Sequence, residues 1–384
     1  MRFELATAGR ILFGPGTLKE LEPIAADLGK RALIVRGTNP DRTKHLEAII
    51  RAANINYSLF EVHGEPTIDR IDAGVKQARE IEADFVIGFG GGSVIDSAKA
   101  IAALATNLGP ILEYLEVIGK GKQLALASIP CIAIPTTAGT GAEVTRNSVL
   151  ASPAQKVKVS LRSPYLLPRL AVVDPMLTRD LSRSVTASTG LDALTQLIEP
   201  YVSVRANPVT DGFCVEGMRR AAHSLRSAFE NGQDLPAREN MALASLLGGL
   251  SLANAGLGAV HGFASPIGGM FDAPHGAICA ALLPHVMEIN IRALRERAKE
   301  TAVISRYDTI ATLLTGSGKA TAEDAVQWVH ELCKDLRIPG LRTYEVSESD
   351  VPVVVEQAAI ASSMKANPIA LTTEELTEIL SRAM

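Results

Sequence analysis

Short buried strands and helical segments alternate through the first 180 residues of the chain, and then the strand signal stops. The β-branched runs Arg31–Arg36 (RALIVR), Asp84–Gly88 (DFVIG), Cys131–Ile134 (CIAI) and Leu170–Asp174 (LAVVD) read as strands with few polar positions on either face. Helical periodicities such as Thr43–Ala53 and Ile68–Ile81 lie between them. A strand apolar on both faces must be covered by helices on each side, so this alternation predicts a parallel, Rossmann-like α/β sheet. Beyond it, Ala187–Val202, Val209–Asn231, Ala237–Ala255, Ala280–Ala293, Thr321–Leu336 and Thr373–Ala383 all favour helix. The expected organisation is an α/β domain over residues 1–180 and an all-α domain over residues 181–384.

Composition narrows the class of function. Hydrophobic residues make up 47% and charged residues 21%, with a net charge of −4, so no basic surplus exists to neutralise phosphates and a nucleic-acid partner is not expected. Cys131, Cys214, Cys279 and Cys333 form no CxxC pair, which suits a reducing compartment. The first residues, MRFELATAGRILFG, lack the apolar core of a signal peptide, and a cytoplasmic protein is expected. From Met241 to Phe271 there is no Asp, Glu, Lys or Arg, long enough to cross a bilayer. The same stretch holds Asn254, His261 and Pro266, so it reads as a long helix buried inside the helical domain, ending near His261, and not as a membrane anchor.

Two loops carry the signals for a phosphorylated ligand. Gly90, Gly91, Gly92 and Ser93 join the strand DFVIG to the helix SVIDSAKAIAAL. A glycine turn opening a helix offers backbone N–H groups and a positive dipole end to a phosphate. Ser93 is expected to cap that helix, with Asp96 completing a capping box. The second loop, Thr136-Thr137-Ala138-Gly139-Thr140, follows the strand CIAI. Two such loops at strand ends suit a ligand with two phosphates lying across a sheet edge.

In the helical half, Asp192 lies near the expected start of a helix, with Gln196 one turn on. His261, with Ser265 one turn on, and His275 follow. One carboxylate and two imidazoles make a facial triad for Fe(II) or a three-ligand zinc site, provided they converge; otherwise they are hydrogen-bonded core residues. His45, His63, His223 and His330 lie in charged or turn-like surroundings and read as surface residues, while His285 reads as core or as a neighbour of the site.

Together these segments resemble the iron-containing alcohol dehydrogenases, of dehydroquinate synthase-like fold. The resemblance runs through RILFGPGTLKEL (10–21), GFGGGSVIDSAKAIA (88–102), IPTTAGTGAEVT (134–145), AVVDPMLT (171–178), GLDALTQLIEPYVS (190–203), GLGAVHGFASPIGG (256–269) and PHGAICAALLPHVM (274–287). It implies an NAD(P)-dependent enzyme that interconverts a small alcohol and its aldehyde or ketone by hydride transfer at Fe(II) or Zn(II), as a homodimer or larger homo-oligomer. By the same resemblance, Gly90, Gly91, Gly92 and Ser93 receive the pyrophosphate, Thr136, Thr137 and Thr140 contact the cofactor, and Lys158 approaches its ribose. Asp192, His261 and His275 match three of the family's four metal-ligand positions, with Gln196 at the fourth.

Three departures bear on the chemistry. Gln196 stands where a histidine ligand is usual, and an amide oxygen is the poorer donor. Related glycerol dehydrogenases nevertheless hold zinc with one aspartate and two histidines. Ser265 replaces a histidine often invoked in proton transfer, which leaves His261, Ser265 and His275 as the residues expected around the reacting atoms. Gly37, followed by Thr38 and Asn39, replaces the acidic residue typical of NAD-specific members, so NADPH is expected to be accepted, with Arg36 and Arg42 near its phosphate. The main alternative is a metal-independent reductase similar to maleylacetate reductases; a dehydroquinate-synthase-like lyase and a non-catalytic nucleotide sensor are further alternatives.

Overall fold

The computed structural model describes residues 2–298 and 302–384. Its strands and helices run in chain order β1 (Ile11–Phe13), α1 (Leu21–Ala26), β2 (Arg31–Arg36), α2 (Lys44–Ala52), β3 (Asn56–Glu61), α3 (Ile68–Glu80), β4 (Phe85–Gly90), α4 (Gly92–Thr106), β5 (Cys131–Pro135), β6 (Asn147–Ser152), β7 (Val157–Arg162) and β8 (Leu170–Val173). The helices α5 (Arg183–Val202), α6 (Pro208–Glu230), α7 (Leu235–Ala255), α8 (Ala259–Met270), α9 (His275–Arg297), α10 (Val303–Thr315), α11 (Ala322–Asp335), α12 (Val351–Ile360) and α13 (Thr373–Ala383) follow. The chain divides into two compact units, one of Ala6–Thr137 with Gly141–Thr178, the other of Arg179–Met384 with the residues up to Leu5 and Ala138–Thr140.

The α/β unit is built on a six-stranded parallel sheet of order β1-β8-β5-β4-β2-β3. Strands β4, β5 and β8 are buried along their whole length, as apolar runs in a helix-covered sheet must be. Three features escape the sequence pattern. β1 is only three residues long, and β3 (NYSLFE) is a half-exposed edge strand whose polar residues hide its period. The antiparallel hairpin β6–β7 forms a separate two-stranded sheet, its polar turn reaching Lys156 at φ 52.

A buried ion pair ties that hairpin to α4. The Lys99 ammonium, fully enclosed, donates to Asp96 Oδ1 (3.0 Å), the Ala142 carbonyl (2.9 Å) and Thr145 Oγ1 (2.9 Å). Asp96 Oδ2 accepts from the Val149 backbone N–H of β6 at 2.9 Å. The expected capping box is therefore not formed: Gly91 is the N-cap of α4 and Asp96 points into the interior. Asp174, just past β8, likewise accepts from the backbone of Gly16, Leu18 and Met176, pinning the turn after β1.

The helical unit centres on α5, in which every residue from Gly190 to Val202 is buried. The uncharged stretch 241–271 is not one helix. It breaks at Gly256–Gly258 into α7 and α8, bent by 99°, so His261 lies in the first turn of α8 and not at the end of a long helix. Asp192 falls in the middle of α5 and not near its start, and α9 begins at His275, earlier than the periodicity implied. Among the described residues α9 alone is long and apolar enough to cross a membrane unbroken, and 78% of its apolar window is buried inside the protein, as in a core helix.

Replacing Lys99 by Met leaves the Asp96 carboxylate enclosed without its cation and should destabilise the protein by roughly 3–5 kcal/mol. Denaturant midpoints check this, and Asp96→Asn added to Lys99→Met should recover part of the loss.

Candidate active site

Three helices bring the expected metal ligands together. From α5 comes Asp192, from α8 His261 and from α9 His275. Asp192 Oδ1 lies 3.4 Å from His261 Nε2 and 3.7 Å from His275 Nε2, and the two imidazole rings are 5.3 Å apart. Asp192 is 1% exposed, yet its Oδ1 has no hydrogen-bond partner. A buried carboxylate oxygen without a donor, facing two ring nitrogens, is what a cation site presents before the cation is counted. The residues fit a divalent metal.

Two contacts around this group were not foreseen. Glu199, one turn beyond Gln196 on α5, accepts from His261 Nδ1 at 2.6 Å through Oε2, and from the Val260 backbone N–H at 2.7 Å through Oε1. That bond fixes the tautomer of His261 and turns Nε2 toward Asp192, as carboxylates do behind metal-bound histidines. Its signal in the sequence is a lone acid at i+7 from Asp192 in an otherwise apolar helix. The second is Cys279, one turn after His275 on α9, whose Sγ lies 3.8 Å from His261 Nε2 and 3.7 Å from His275 Nε2.

The charges reinforce one another. Burial works against the Asp192 carboxylate, but the neighbouring His275 and His261 imidazoles hold it below the usual carboxylate range, helped by a hydrogen bond from Gln196. Burial also opposes charge on both imidazoles, yet Cys279 and Glu199 raise His261 well above its ordinary value, and Cys279 and Asp192 raise His275. Gln196 is 2% exposed and its Oε1 has no hydrogen-bond partner. Ser265 sits one turn past His261 on α8, half-buried.

In the α/β unit the expected cofactor residues gather at one edge of the sheet. Gly37, Thr38 and Asn39 leave the carboxyl end of β2, Gly90, Gly91, Gly92 and Ser93 that of β4, and Thr136 and Thr137 that of β5. Strand order reverses between β2 and β4, because β3 adds on one side of β2 and β4 on the other. Such a reversal opens the crevice in which doubly wound sheets bind ligands. The first N–H groups of α4 have no intrahelical partner there, and Gly91 supplies no side-chain cap. Lys158 is buried on β7 and pairs with Glu65 at 3.0 Å. Thr140 groups with the helical unit, where Gly139 lies against Thr189.

Arg36, expected beside the cofactor phosphate, is instead paired with Glu61 at 3.1 Å, and Arg42 donates to the Leu177 carbonyl from an exposed position. Among the other histidines, His45, His63 and His223 are exposed. His330 is not a surface residue: it is half-buried and packs edge-on against His285 with ring centres 5.2 Å apart.

Residues 8–175 match the family model for iron-containing alcohol dehydrogenase, and residues 186–384 match that for the C-terminal part of the Fe-containing alcohol dehydrogenase family. The chain belongs to the iron-containing alcohol dehydrogenase family. It is 34% identical to alcohol dehydrogenase 4 of Saccharomyces cerevisiae over 379 residues, 97% of this chain and 96% of the yeast protein. Its fold matches a 1,3-propanediol oxidoreductase with a TM-score of 0.92 and 33% identity, each chain covered completely. It also matches the sulfoacetaldehyde reductase of Bifidobacterium kashiwanohense, solved in complex with NAD+, with a TM-score of 0.87 and 27% identity over 99% of this chain and 98% of that one. The protein is thus an alcohol dehydrogenase, an oxidoreductase of small-molecule alcohol and aldehyde substrates.

Glu199→Gln keeps the shape of the His261 partner but removes its charge. Metal affinity, measured by competition with a chelator, should fall about 10- to 100-fold, with little change in the unfolding midpoint.

Proposed function

We propose that this alcohol dehydrogenase works with NAD(P) and a divalent metal held by Asp192, His261 and His275, reducing a small aldehyde or ketone and reversibly oxidising the alcohol. The convergence of these donors on the partnerless Asp192 Oδ1 carries the reading. When bound, Fe(II) or Zn(II) supplies electrophilic polarisation of the substrate oxygen. Asp192 contributes the negative charge that retains a cation in a buried setting, and Glu199, accepting from Nδ1, aims His261 Nε2 at it. His275, with a side chain 33% exposed, forms the accessible side of the group. Ser265 cannot act as a near-neutral acid in the way an imidazole can.

The loops Gly90–Ser93 and Thr136–Thr137, with Lys158, are proposed to hold the dinucleotide. The parallel sheet edge and the uncapped start of α4 support this. The four unpaired cysteines are consistent with a cytoplasmic enzyme, and a homo-oligomer is proposed from the family alone.

Metal-independent reduction is the second reading, and it is favoured by Gln196, a weak amide donor one turn after Asp192 on α5 where a histidine ligand is usual. Purified protein assayed with aldehydes, ketones and oxo-acids, with and without chelator, separates the two. On the metal reading, His261→Ala and His275→Ala each lose both metal content and metal-stimulated turnover. Full activity in metal-free protein would overturn it.

Cofactor choice gives a sharper test. A Cβ on Gly37 would meet nothing within 4 Å, and no acid stands there to repel a 2′-phosphate. Arg36 is neutralised by Glu61, which leaves Arg42 and the Thr38–Asn39 segment as the donors nearest in sequence. NADPH should therefore be accepted, and Gly37→Asp should lower kcat/KM with NADPH about 10- to 100-fold more than with NADH. Equal losses with both cofactors would show that residue 37 never meets the phosphate.

A further inference from the structure

We propose that the Cys279 thiolate is a fourth protein ligand of the metal, giving an Asp/His/His/Cys donor set that favours Zn(II) over Fe(II). The inference rests on the metal site proposed above and adds to it a thiolate, a stronger donor than the amide of Gln196.

The geometry comes first. One ligand atom each from Asp192, His261, His275 and Cys279 lies within 4.8 Å of all the others. Their measured separations are 3.4 and 3.7 Å from Asp192 Oδ1 to the two Nε2 atoms, and 3.8 and 3.7 Å from Cys279 Sγ to the same atoms. A tetrahedral ion with bonds of about 2.0–2.1 Å to nitrogen or oxygen and 2.3 Å to sulfur needs ligand-to-ligand edges of roughly 3.3–3.6 Å. Those four edges need at most a few tenths of an ångström of contraction to meet that requirement. Asp192 Oδ1, buried and without a donor, is an independent sign that a cation belongs between these atoms.

The local structure explains why the thiol is there. His275 and Cys279 are i and i+4 in the first turns of α9, so both face the same way along that helix. Cys279 is fully enclosed, and the polar neighbours of its sulfur are the two ring nitrogens that would bind the ion. One other metal-like grouping exists among the described residues, His285, Glu288 and His330, but there Glu288 is already held through both oxygens by Arg382. Nothing comparable occupies Asp192 Oδ1.

Thiolate is a soft donor, and sites containing it prefer Zn(II), whereas all-nitrogen-and-oxygen triads are the usual home of Fe(II). Zinc sites of this kind can expand to five ligands, so four protein donors do not close the site to a substrate.

The test is reconstitution of chelator-stripped protein with Co(II), whose thiolate complexes carry an intense charge-transfer band in the near ultraviolet. Wild type should take up one Co(II) and show that band. Cys279→Ser should keep the weak visible ligand-field bands but lose the charge-transfer band, with metal affinity lower by about 10-fold or more and a reduced preference for Zn(II) over Fe(II). Co(II) uptake by wild type without a charge-transfer band would overturn the role of Cys279 and leave the three-ligand site standing. No uptake at all would overturn both. X-ray absorption at the zinc edge of wild-type protein reconstituted with Zn(II) gives a reading that does not depend on the variant folding. A sulfur ligand at about 2.3 Å is expected, and a shell of nitrogen and oxygen alone would count against ligation.

Discussion

A carboxylate set in the middle of a fully buried helix is the constraint around which the helical unit is organised. Enclosing Asp192 costs several kcal/mol unless positive charge is brought to it. α5 cannot supply that charge, since its residues from Gly190 to Val202 are apolar or uncharged apart from Asp192 and Glu199. The compensation has to arrive from other helices, and it does, as His261 at the start of α8 and His275 at the start of α9. Two helix starts must therefore be directed at one point on α5. That requirement accounts for the sharp break between α7 and α8, which a single long apolar helix could not satisfy.

The α/β unit meets the opposite requirement with the opposite device. Where the helical unit concentrates charge, the carboxyl edge of the sheet removes side chains. Gly37, Gly90, Gly91 and Gly92 leave backbone where β2 ends and β4 turns into α4. The buried Lys99–Asp96 pair stiffens α4 from behind, joining it to the turn at Ala142 and to β6. The start of α4 is thus anchored within the interior and free of its own capping side chain. A helix held that way presents backbone donors without moving to do so, which favours a dinucleotide phosphate.

Much of this was legible in the sequence because it rests on local patterns. Four strands of the sheet, both loops and the Asp192, His261 and His275 set could be read from periodicity, glycine spacing and resemblance. What was missed depended on contacts between distant segments. Asp96 reads as half of a capping box because Ser93 stands three residues before it. Only the fold shows that Lys99 and the Val149 N–H claim it. Cys279 reads as one more small apolar residue in a buried helix until α9 is placed beside α8. Glu199 had a signal, an acid in a run of apolar residues, but its partner lies 62 residues away. β3 and the β6–β7 hairpin escaped for a different reason: exposed strands carry polar residues that erase the apolar run.

The precision of the site depends finally on two glycines and one carboxylate. α8 has no capping side chain of its own, because its N-cap is Gly258. Its first two free N–H groups are taken by Asn367 Oδ1 at Ala259 and by Glu199 Oε1 at Val260. A Cβ on Gly258 would come within 2.9 Å of both acceptor oxygens, so a larger residue there would push the caps off the helix. On α9 a Cβ at Gly276 would lie 2.6 Å from the Ser188 carbonyl, backbone that cannot swing aside, and the start of α9 would be forced away from α5. Since Glu199 caps α8 with one oxygen and holds His261 Nδ1 with the other, the position of the helix and the aim of the imidazole are set by the same residue. The ligands are therefore not independent side chains that happen to meet. Moving either helix start by an ångström would expose the Asp192 charge to apolar surroundings, and that penalty keeps both helices in register with α5.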